Sequence, residues 1–139
     1  MMQCKYNSSY VIPVPVLKIK ITHPISGESE KEIKCKLDTG ADKTTIPKSI
    51  IAKLGFQPKT HEPVKDYLGR IEYRPVYFAD ILIFNHRFLR MKVLSTNNNV
   101  GLIGRDILNQ WVILLDGKRN LFYIADKVQR FWGLLWIKP

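Results

Sequence analysis

The chain has 139 residues, of which 45% are hydrophobic, and its 22 basic and 12 acidic side chains give a formal net charge of +10. This length and apolar content suit one domain with a sizeable core, and no apolar run is long enough for a membrane-spanning helix. The positive charge attracts anionic partners in general, but the basic residues are scattered and form no nucleic-acid-binding motif, so we expect no specific nucleic-acid partner.

The N-terminal region lacks the long apolar stretch of a signal peptide, because Pro13 and Pro15 interrupt its apolar residues. We therefore expect a cytoplasmic protein. Cysteines of cytoplasmic proteins are usually reduced, so Cys4 and Cys35 are predicted to be free thiols.

Alternating apolar and polar residues predict a β-hairpin in the first part of the chain. Residues 10–22 and 32–37 both follow the period of a half-buried strand, and a turn-forming cluster at residues 23–27 separates them. This hairpin places Cys35 on the inward face and brings Asp38 to the end of its second strand.

The next segments predict a short helix and then a loop. Pro47 suits the first position of a helix and Gly55 suits its end, so a helix is expected over residues 47–54. Residues 56–70 are polar and rich in proline, which indicates loop and turn structure.

The second half of the chain returns to strand patterns. Residues 71–84 predict a strand, Asn85-His86 a tight turn, and residues 89–93 the following strand.

After the polar residues 95–99, a one- or two-turn helix is expected over residues 105–110. Asp116-Gly117 is a strong hairpin signal between two apolar runs. Because strands recur between turns without long helices, the sequence predicts an all-β fold with one or two short helices, and not a parallel α/β sheet.

We expect a single domain over residues 1–126, followed by an aromatic tail at 127–139 that contains Phe131, Trp132 and Trp136. The tail could pack on its own domain or contribute apolar surface to a contact with a second chain.

Several chemistries are poorly supported by the sequence. The three histidines are isolated and no Cys/His cluster has metal-ligand spacing, so no metal is expected. Serine-nucleophile, phosphate-loop and dinucleotide motifs are missing from the sequence, and we expect no cofactor.

The one reactive motif is Asp38-Thr39-Gly40 at a predicted strand end. A carboxylate can activate water, and glycine lets backbone approach the reacting centre. The simpler interpretation is an aspartate that caps a turn. The second motif, Leu102-Ile103-Gly104, favours the functional one, because a glycine after two buried residues allows another segment to cross closely.

Together these motifs resemble the retropepsin-like, retroviral-type family of single-domain aspartic proteases, in its cellular and prokaryotic branch. The matching segments are Asp38-Thr39-Gly40-Ala41-Asp42, Thr44-Thr45-Ile46 and Leu102-Ile103-Gly104-Arg105-Asp106-Ile107-Leu108. The resemblance implies an acid-protease barrel that forms a homodimer.

The resemblance also implies roles for individual residues. Asp38 would be the catalytic aspartate, and Thr39, Gly40 and Ala41 would form its active-site loop. Asp42 and Arg105 would pair beneath this loop, in contact with substrate or as a structural pair.

Further motif positions carry over in the same way. Leu102, Ile103 and Gly104 would form the motif that crosses the loop. Residues 66–74 occupy the interval of the family's mobile hairpin, or flap, whose tip would be Tyr67, Leu68, Gly69 and Arg70. This tip has one glycine where the family has several, and Lys43 stands where an acidic residue is common.

The expected function is that of an aspartic endopeptidase acting on extended peptides or proteins. Hydrolysis of this type needs two carboxylates that share a proton, and a chain with one such motif must obtain the second from another copy. The first alternative is a catalytically silent domain that binds peptides or serves as a scaffold. The second, supported only by charge, is a nucleic-acid-associated protein.

Overall fold

The computed structural model describes residues 1–135 and confirms the all-β expectation. Most of this part of the chain consists of strands, and the helices are one or two turns long. The strands are β1 (Met2–Asn7), β2 (Val14–Thr22), β3 (Ser29–Leu37), β4 (Thr45–Pro47), β5 (Thr60–Lys65), β6 (Ile71–Ile83), β7 (His86–Thr96), β8 (Gly101–Ile103), β9 (Val112–Asp116) and β10 (Leu121–Ala125). The helices are α1 (Lys48–Lys53), α2 (Arg105–Leu108) and α3 (Trp132–Leu135), with a 3₁₀ turn at Val128–Phe131 before α3.

Six of the strands close into a barrel. They pair in the order β6, β7, β4, β8, β3 and β2, and β2 pairs back with β6. The β3–β8 and β4–β7 pairs are parallel, and the others in the barrel are antiparallel. Alternating residues of these strands fill the interior, among them Ile19, Ile33, Cys35 and Ile103. The barrel thus holds the end of β3 beside β8.

Two ribbons extend the barrel. On one side, β5 pairs with β6 and forms the hairpin edge. On the other side, β1 pairs with β2 and β10, and β10 pairs with β9. The predicted hairpin around Asp116-Gly117 is confirmed as the β9–β10 pair.

The expectation of loop structure over residues 56–70 is wrong for Thr60–Lys65, which form β5. Proline removes a ladder donor, but it is tolerated in an edge strand, and Pro63 lies in one. The strand is specified by six residue pairs with β6, which a local pattern of hydrophobicity does not reveal.

Other predicted boundaries shift by a few residues. β2 begins at Val14 and not at residue 10, the turn lies at residues 84–85, and α2 ends at Leu108. A bulge between Ala79 and Ile81 changes the phase of the alternation in β7. As a result, Phe88 is buried whereas Leu89 is exposed.

The aromatic tail is partly described. Phe131 is buried and packs in a small cluster with Tyr123 and Ala125 of its own domain. Trp132 is exposed. Trp136, which was expected to share in the tail's apolar surface, lies outside the described residues.

Candidate active site

Asp38 lies directly after β3, at the rim of the barrel. Its backbone N–H donates to the carbonyl oxygen of Ile103 over 3.0 Å, which fixes it beside β8. A tight turn follows, because the Gly40 N–H donates to Asp38 Oδ1 over 2.9 Å and the Ala41 N–H to the Asp38 carbonyl over 3.2 Å. The half-buried carboxylate is therefore oriented by its own loop, with Oδ2 left for other partners.

Gly104 is where the two motifs cross. A Cβ atom at this position would lie 2.6 Å from the carbonyl carbon of Lys43 and 3.0 Å from the carbonyl oxygen of Ala41. Contacts this short with backbone leave no space for a side chain. The sequence analysis predicted a close crossing at this glycine, and the backbone of residues 41–43 lies against it here.

Hydrogen bonds between Asp106 and Thr44 hold the two crossing segments together. Asp106 Oδ2 accepts the Thr44 N–H over 2.9 Å, and Oδ1 accepts the Thr44 hydroxyl over 2.8 Å. The same hydroxyl accepts the Gly104 N–H over 3.2 Å. Sequence reasoning had assigned no role to Asp106. The signal that could have revealed it is a carboxylate in the first turn of a short helix, directly before the apolar residues Ile107 and Leu108.

Arg105 reaches the active-site loop from α2. Its guanidinium donates to the Thr39 carbonyl oxygen over 2.6 Å and also contacts the Asp42 carboxylate. Its backbone N–H donates to the Ala41 carbonyl over 2.8 Å. The structure thus places Asp42 and Arg105 together, although Asp42 is largely exposed.

The proposed flap corresponds to the β5–β6 hairpin, whose tip is a turn organised by one carboxylate. Asp66 Oδ1 accepts the Leu68 and Arg70 N–H groups over 2.9 Å each, and Oδ2 accepts Arg70 Nε over 2.8 Å. The Arg70 backbone N–H, followed by its side chain, lowers the pKa of Asp66. Gly69 adopts φ of +82°, a left-handed conformation that suits glycine. Tyr67 is almost fully exposed.

Glu62 connects the base of this hairpin to the rest of the site. Its carboxylate contacts the Lys43 ammonium, next to the active-site loop, and accepts Lys92 Nζ of β7 over 2.8 Å. The hydrogen bonds from Lys43 and then Lys92 lower the pKa of Glu62 from 4.5 to about 2. Ion pairs thus connect the base of the hairpin both to the active-site loop and to the barrel.

A cavity of about 370 Å³ lies between the active-site loop and the hairpin. Gly40, Ala41 and Asp42 form one side of it, and residues 63–65 with Arg74 form the other. The expected tip residues Tyr67, Leu68, Gly69 and Arg70 do not line this cavity. The structure therefore brings the loop and the crossing motif together, and the tip does not take part in lining the cavity beside them.

Other reactive groups contribute little at this site. Burial raises the pKa of the Cys35 thiol to about 12, so this thiol stays protonated at neutral pH and is a poor nucleophile. Within residues 1–135, no three His, Cys, Asp or Glu side chains are grouped as a metal site requires. In the same residues, no helix is long and apolar enough to cross a membrane.

Comparison with known proteins agrees with this arrangement. A family model described as gag-polyprotein putative aspartyl protease matches residues 26–110, more than half of the chain. A search of curated proteins found no match.

Comparison with solved structures gives several similar chains, and the first of them shows the fold. A retropepsin-like aspartic protease from Rickettsia conorii is 19% identical, with 89% of this chain and 91% of that chain covered and a TM-score of 0.55. EIAV protease complexed with the inhibitor HBY-793 is 18% identical over 76% and 92% of the two chains, with a TM-score of 0.49. The retroviral protease-like domain of Ddi1 from Leishmania major is 17% identical over 82% and 91%, with a TM-score of 0.46.

The fold and the motif-bearing segment are those of retropepsin-like aspartic proteases, a class of hydrolases. The chain belongs to the family of gag-polyprotein putative aspartyl proteases.

Proposed function

We propose that this protein is an aspartic endopeptidase whose catalytic dyad consists of Asp38 from each of two identical chains. The observation that carries the proposal is the position of Asp38. Its carboxylate lies at a strand end, is oriented by the Gly40 N–H, and is supported from below by the crossing at Gly104. A carboxylate held in this way at a rim suits pairing with a copy of itself across a twofold axis.

In the proposed mechanism the two Asp38 carboxyls share one proton and hold a water molecule between them. The ionised carboxylate takes a proton from the water as it attacks the peptide carbonyl, while the protonated carboxyl donates to the carbonyl oxygen. As the C–N bond of the tetrahedral intermediate breaks, the carboxyl that took the water proton donates it to the leaving nitrogen, and the other carboxylate recovers its proton from a hydroxyl of the intermediate, which becomes the product carboxylic acid. Thr39 would contact its counterpart across the axis and keep the two loops in register.

The substrate in this proposal is an extended peptide between the active-site loop and the β5–β6 hairpin. Gly40 lacks a side chain, so backbone of the substrate can approach the loop. Hydrogen bonds to the peptide main chain would supply much of the binding, as in the addition of a strand to a sheet.

The decisive experiment is cleavage of a peptide library by the wild-type protein and by Asp38→Asn across a range of pH, with and without a statine-type inhibitor. The amide can neither activate water nor share the proton, so we expect the variant to lose activity by orders of magnitude and keep its fold. Retention of activity in the purified variant would refute the assignment of Asp38.

The shared site has its own test. Activity per chain should fall on dilution below the dissociation constant of the dimer, and excess Asp38→Asn chains should inhibit the wild type by forming mixed dimers. Sedimentation is measured over the same dilution series. Constant specific activity from a monomer would overturn the dimeric mechanism.

A catalytically silent peptide-binding domain is the second candidate, and the hairpin tip favours it. The tip has one glycine, and three hydrogen bonds from Leu68 and Arg70 to the Asp66 carboxylate stiffen its turn, whereas a tip that folds over a substrate needs to be flexible. Peptide binding without cleavage by the wild-type dimer would support this candidate.

We also propose a cytoplasmic location. Cys4 and Cys35 are free thiols, as expected in a reducing compartment. Fractionation of cells that express the tagged protein tests this proposal.

A further inference from the structure

Arg74 is a half-buried cation beside the candidate active site. It lies in β6 directly opposite Glu62 of β5, and it lines the cavity between the hairpin and the active-site loop. Its guanidinium donates to the Ser95 carbonyl oxygen. Across the described residues 1–135, no carboxylate lies within 4 Å of it.

The nearest acidic groups are largely engaged elsewhere. Glu62 is held by Lys43 and Lys92, and Asp42 by Arg105. Asp66 and Glu72 line a neighbouring cavity together with Arg74. Asp66 is paired with Arg70, Glu72 is exposed, and neither carboxylate is within ion-pair distance of Arg74. Lys65 adds a further positive charge at the cavity. The cavity therefore carries uncompensated positive charge.

A half-buried guanidinium with a neutral carbonyl partner is incompletely satisfied. Partial burial of a charge is unfavourable unless an opposite charge compensates it. The guanidinium also has five N–H donors in a planar arrangement, which suits two parallel hydrogen bonds to a carboxylate. The hydrogen bond to Ser95 fixes one edge of the group and leaves donors for a ligand.

We propose that Arg74 binds the carboxylate of a glutamate or aspartate side chain of the peptide substrate, so that the enzyme prefers an acidic residue at one position near the cleaved bond. Val64 and Leu94, which also line the cavity, provide apolar contact for the methylene groups of such a side chain. The volume of about 370 Å³ accommodates it. This inference rests on the proposed peptidase function and adds its substrate class.

The test compares matched peptides that differ only by glutamate or glutamine at each position around the cleaved bond, all with amidated C-termini. At one position, the wild type should cleave the glutamate peptide with a kcat/KM about 10–100-fold higher, the range of a charge-assisted pair. Peptides with a free C-terminus and no acidic side chain form a separate arm. If the wild type prefers only these peptides over their amidated counterparts, Arg74 binds a C-terminal carboxylate, and the proposal that it binds an acidic side chain is wrong.

Arg74→Met should bring the glutamate-to-glutamine ratio close to one, and Arg74→Glu should favour lysine at the same position. Lys118→Met is the matched control, because it removes the same charge from an exposed turn between β9 and β10 and should keep the wild-type ratio. If Arg74→Met does not fold, as judged by circular dichroism, Arg74→Lys replaces it. That variant keeps the charge but not the two parallel donors, and should give an intermediate ratio.

A wild-type ratio near one at every position, or an unchanged ratio in the Arg74 variants, would overturn the inference. If the wild type cleaves no peptide, the proposed function fails by itself. The binding site is then tested with Asp38→Asn protein and the same fluorescently labelled peptides. Tighter binding of the glutamate peptide, lost on adding Arg74→Met, supports the site, and equal binding of the two peptides overturns it.

Discussion

The two sides of the candidate site are built in different ways. The floor, where the active-site loop crosses β8 and α2, is held by buried backbone contacts and by the Thr44–Asp106 hydrogen bonds. The cover, the β5–β6 hairpin, is an edge ribbon held by ion pairs at its base and by the Asp66 turn at its tip.

This difference matches the tasks that the proposed function gives to each side. A catalytic carboxylate needs a fixed orientation, and a buried network in a crowded crossing provides one because alternative arrangements leave polar groups unsatisfied. A cover that admits an extended peptide needs to open at low cost. The ion pairs at its base suit this, because they are only partly buried and lie outside the hydrophobic core, so the hairpin can separate without opening the core. We therefore expect substitutions in the floor to reduce global stability, and substitutions in the cover to act locally.

The largest effect is expected for Gly104→Ala. The added methyl group would lie within 3 Å of the backbone of Lys43 and Ala41, which cannot move without displacing the active-site loop. We expect a loss of about 3 kcal/mol or more in the free energy of unfolding, at the upper end for overpacked sites. Denaturant unfolding followed by tryptophan fluorescence measures it.

Gly117→Ala is the matched control for this prediction. A Cβ atom at Gly117 meets nothing within 4 Å, and its backbone conformation is accessible to other residues. The control should change stability by less than about 0.5 kcal/mol. Equal stability of the two variants would show that the crossing is not tightly packed.

Asp106→Ala should have the next largest effect. The substitution leaves the buried N–H and hydroxyl of Thr44 without their acceptor, at a cost of about 1–3 kcal/mol. Thermal unfolding measures the loss, and Asp126→Ala serves as the control because Asp126 is exposed. Similar melting temperatures for both variants would argue against a structural role for Asp106.

Arg105→Ala should destabilise the protein less. The ion pair with Asp42 is exposed and contributes little, so the main loss is the hydrogen bond to the Thr39 carbonyl, about 1 kcal/mol. Expressed as free energy, the loss in kcat/KM should exceed the loss in the free energy of unfolding, because Thr39 adjoins Asp38 in the same loop. Melting temperature, dimer affinity and kcat/KM are measured together, and no change in any of them would show that Arg105 is merely solvated.

Much of the floor could be predicted from the sequence, because its elements follow local patterns. Alternating residues predicted the strand that ends at Asp38, and the glycine at position 104 predicted a close crossing. The pairing of Thr44 with Asp106 could not be predicted in this way. The two residues are 62 positions apart, and nothing local relates a buried threonine to its acceptor.

The cover was harder to predict for a physical reason. β5 contains a proline and polar residues, and its structure depends on pairing with β6 and on the charges around Glu62. Pairing of this kind leaves no periodic signal in the sequence of an edge strand that is largely solvated. The resemblance to a known family placed a hairpin at residues 66–74, next to this strand, whereas the local pattern indicated a loop over residues 56–70.

The smallest and most local effect on stability is expected for Glu62→Gln. Its dependence on pH distinguishes a loss of the Glu62 charge from a general destabilisation of the hairpin. The pKa of Glu62 is lowered from 4.5 to about 2 by Lys43 and Lys92, so its stabilising effect is complete above pH 4.5 and is lost as the pH falls toward 2.

In the wild type, protection of the β5 amides from hydrogen exchange, relative to β2 amides of the barrel, should stay constant from pH 7 to 5 and decrease below 4.5. In Glu62→Gln this relative protection should already be lower at pH 7, and the gap between the two proteins should close toward pH 2. Other carboxylates of the hairpin, such as Asp66, titrate equally in both proteins and cancel in the difference. Glu32→Gln, which removes an exposed carboxylate paired with Lys18, should leave β5 unchanged. A gap that does not vary with pH would show that the charge of Glu62 does not hold the cover in place.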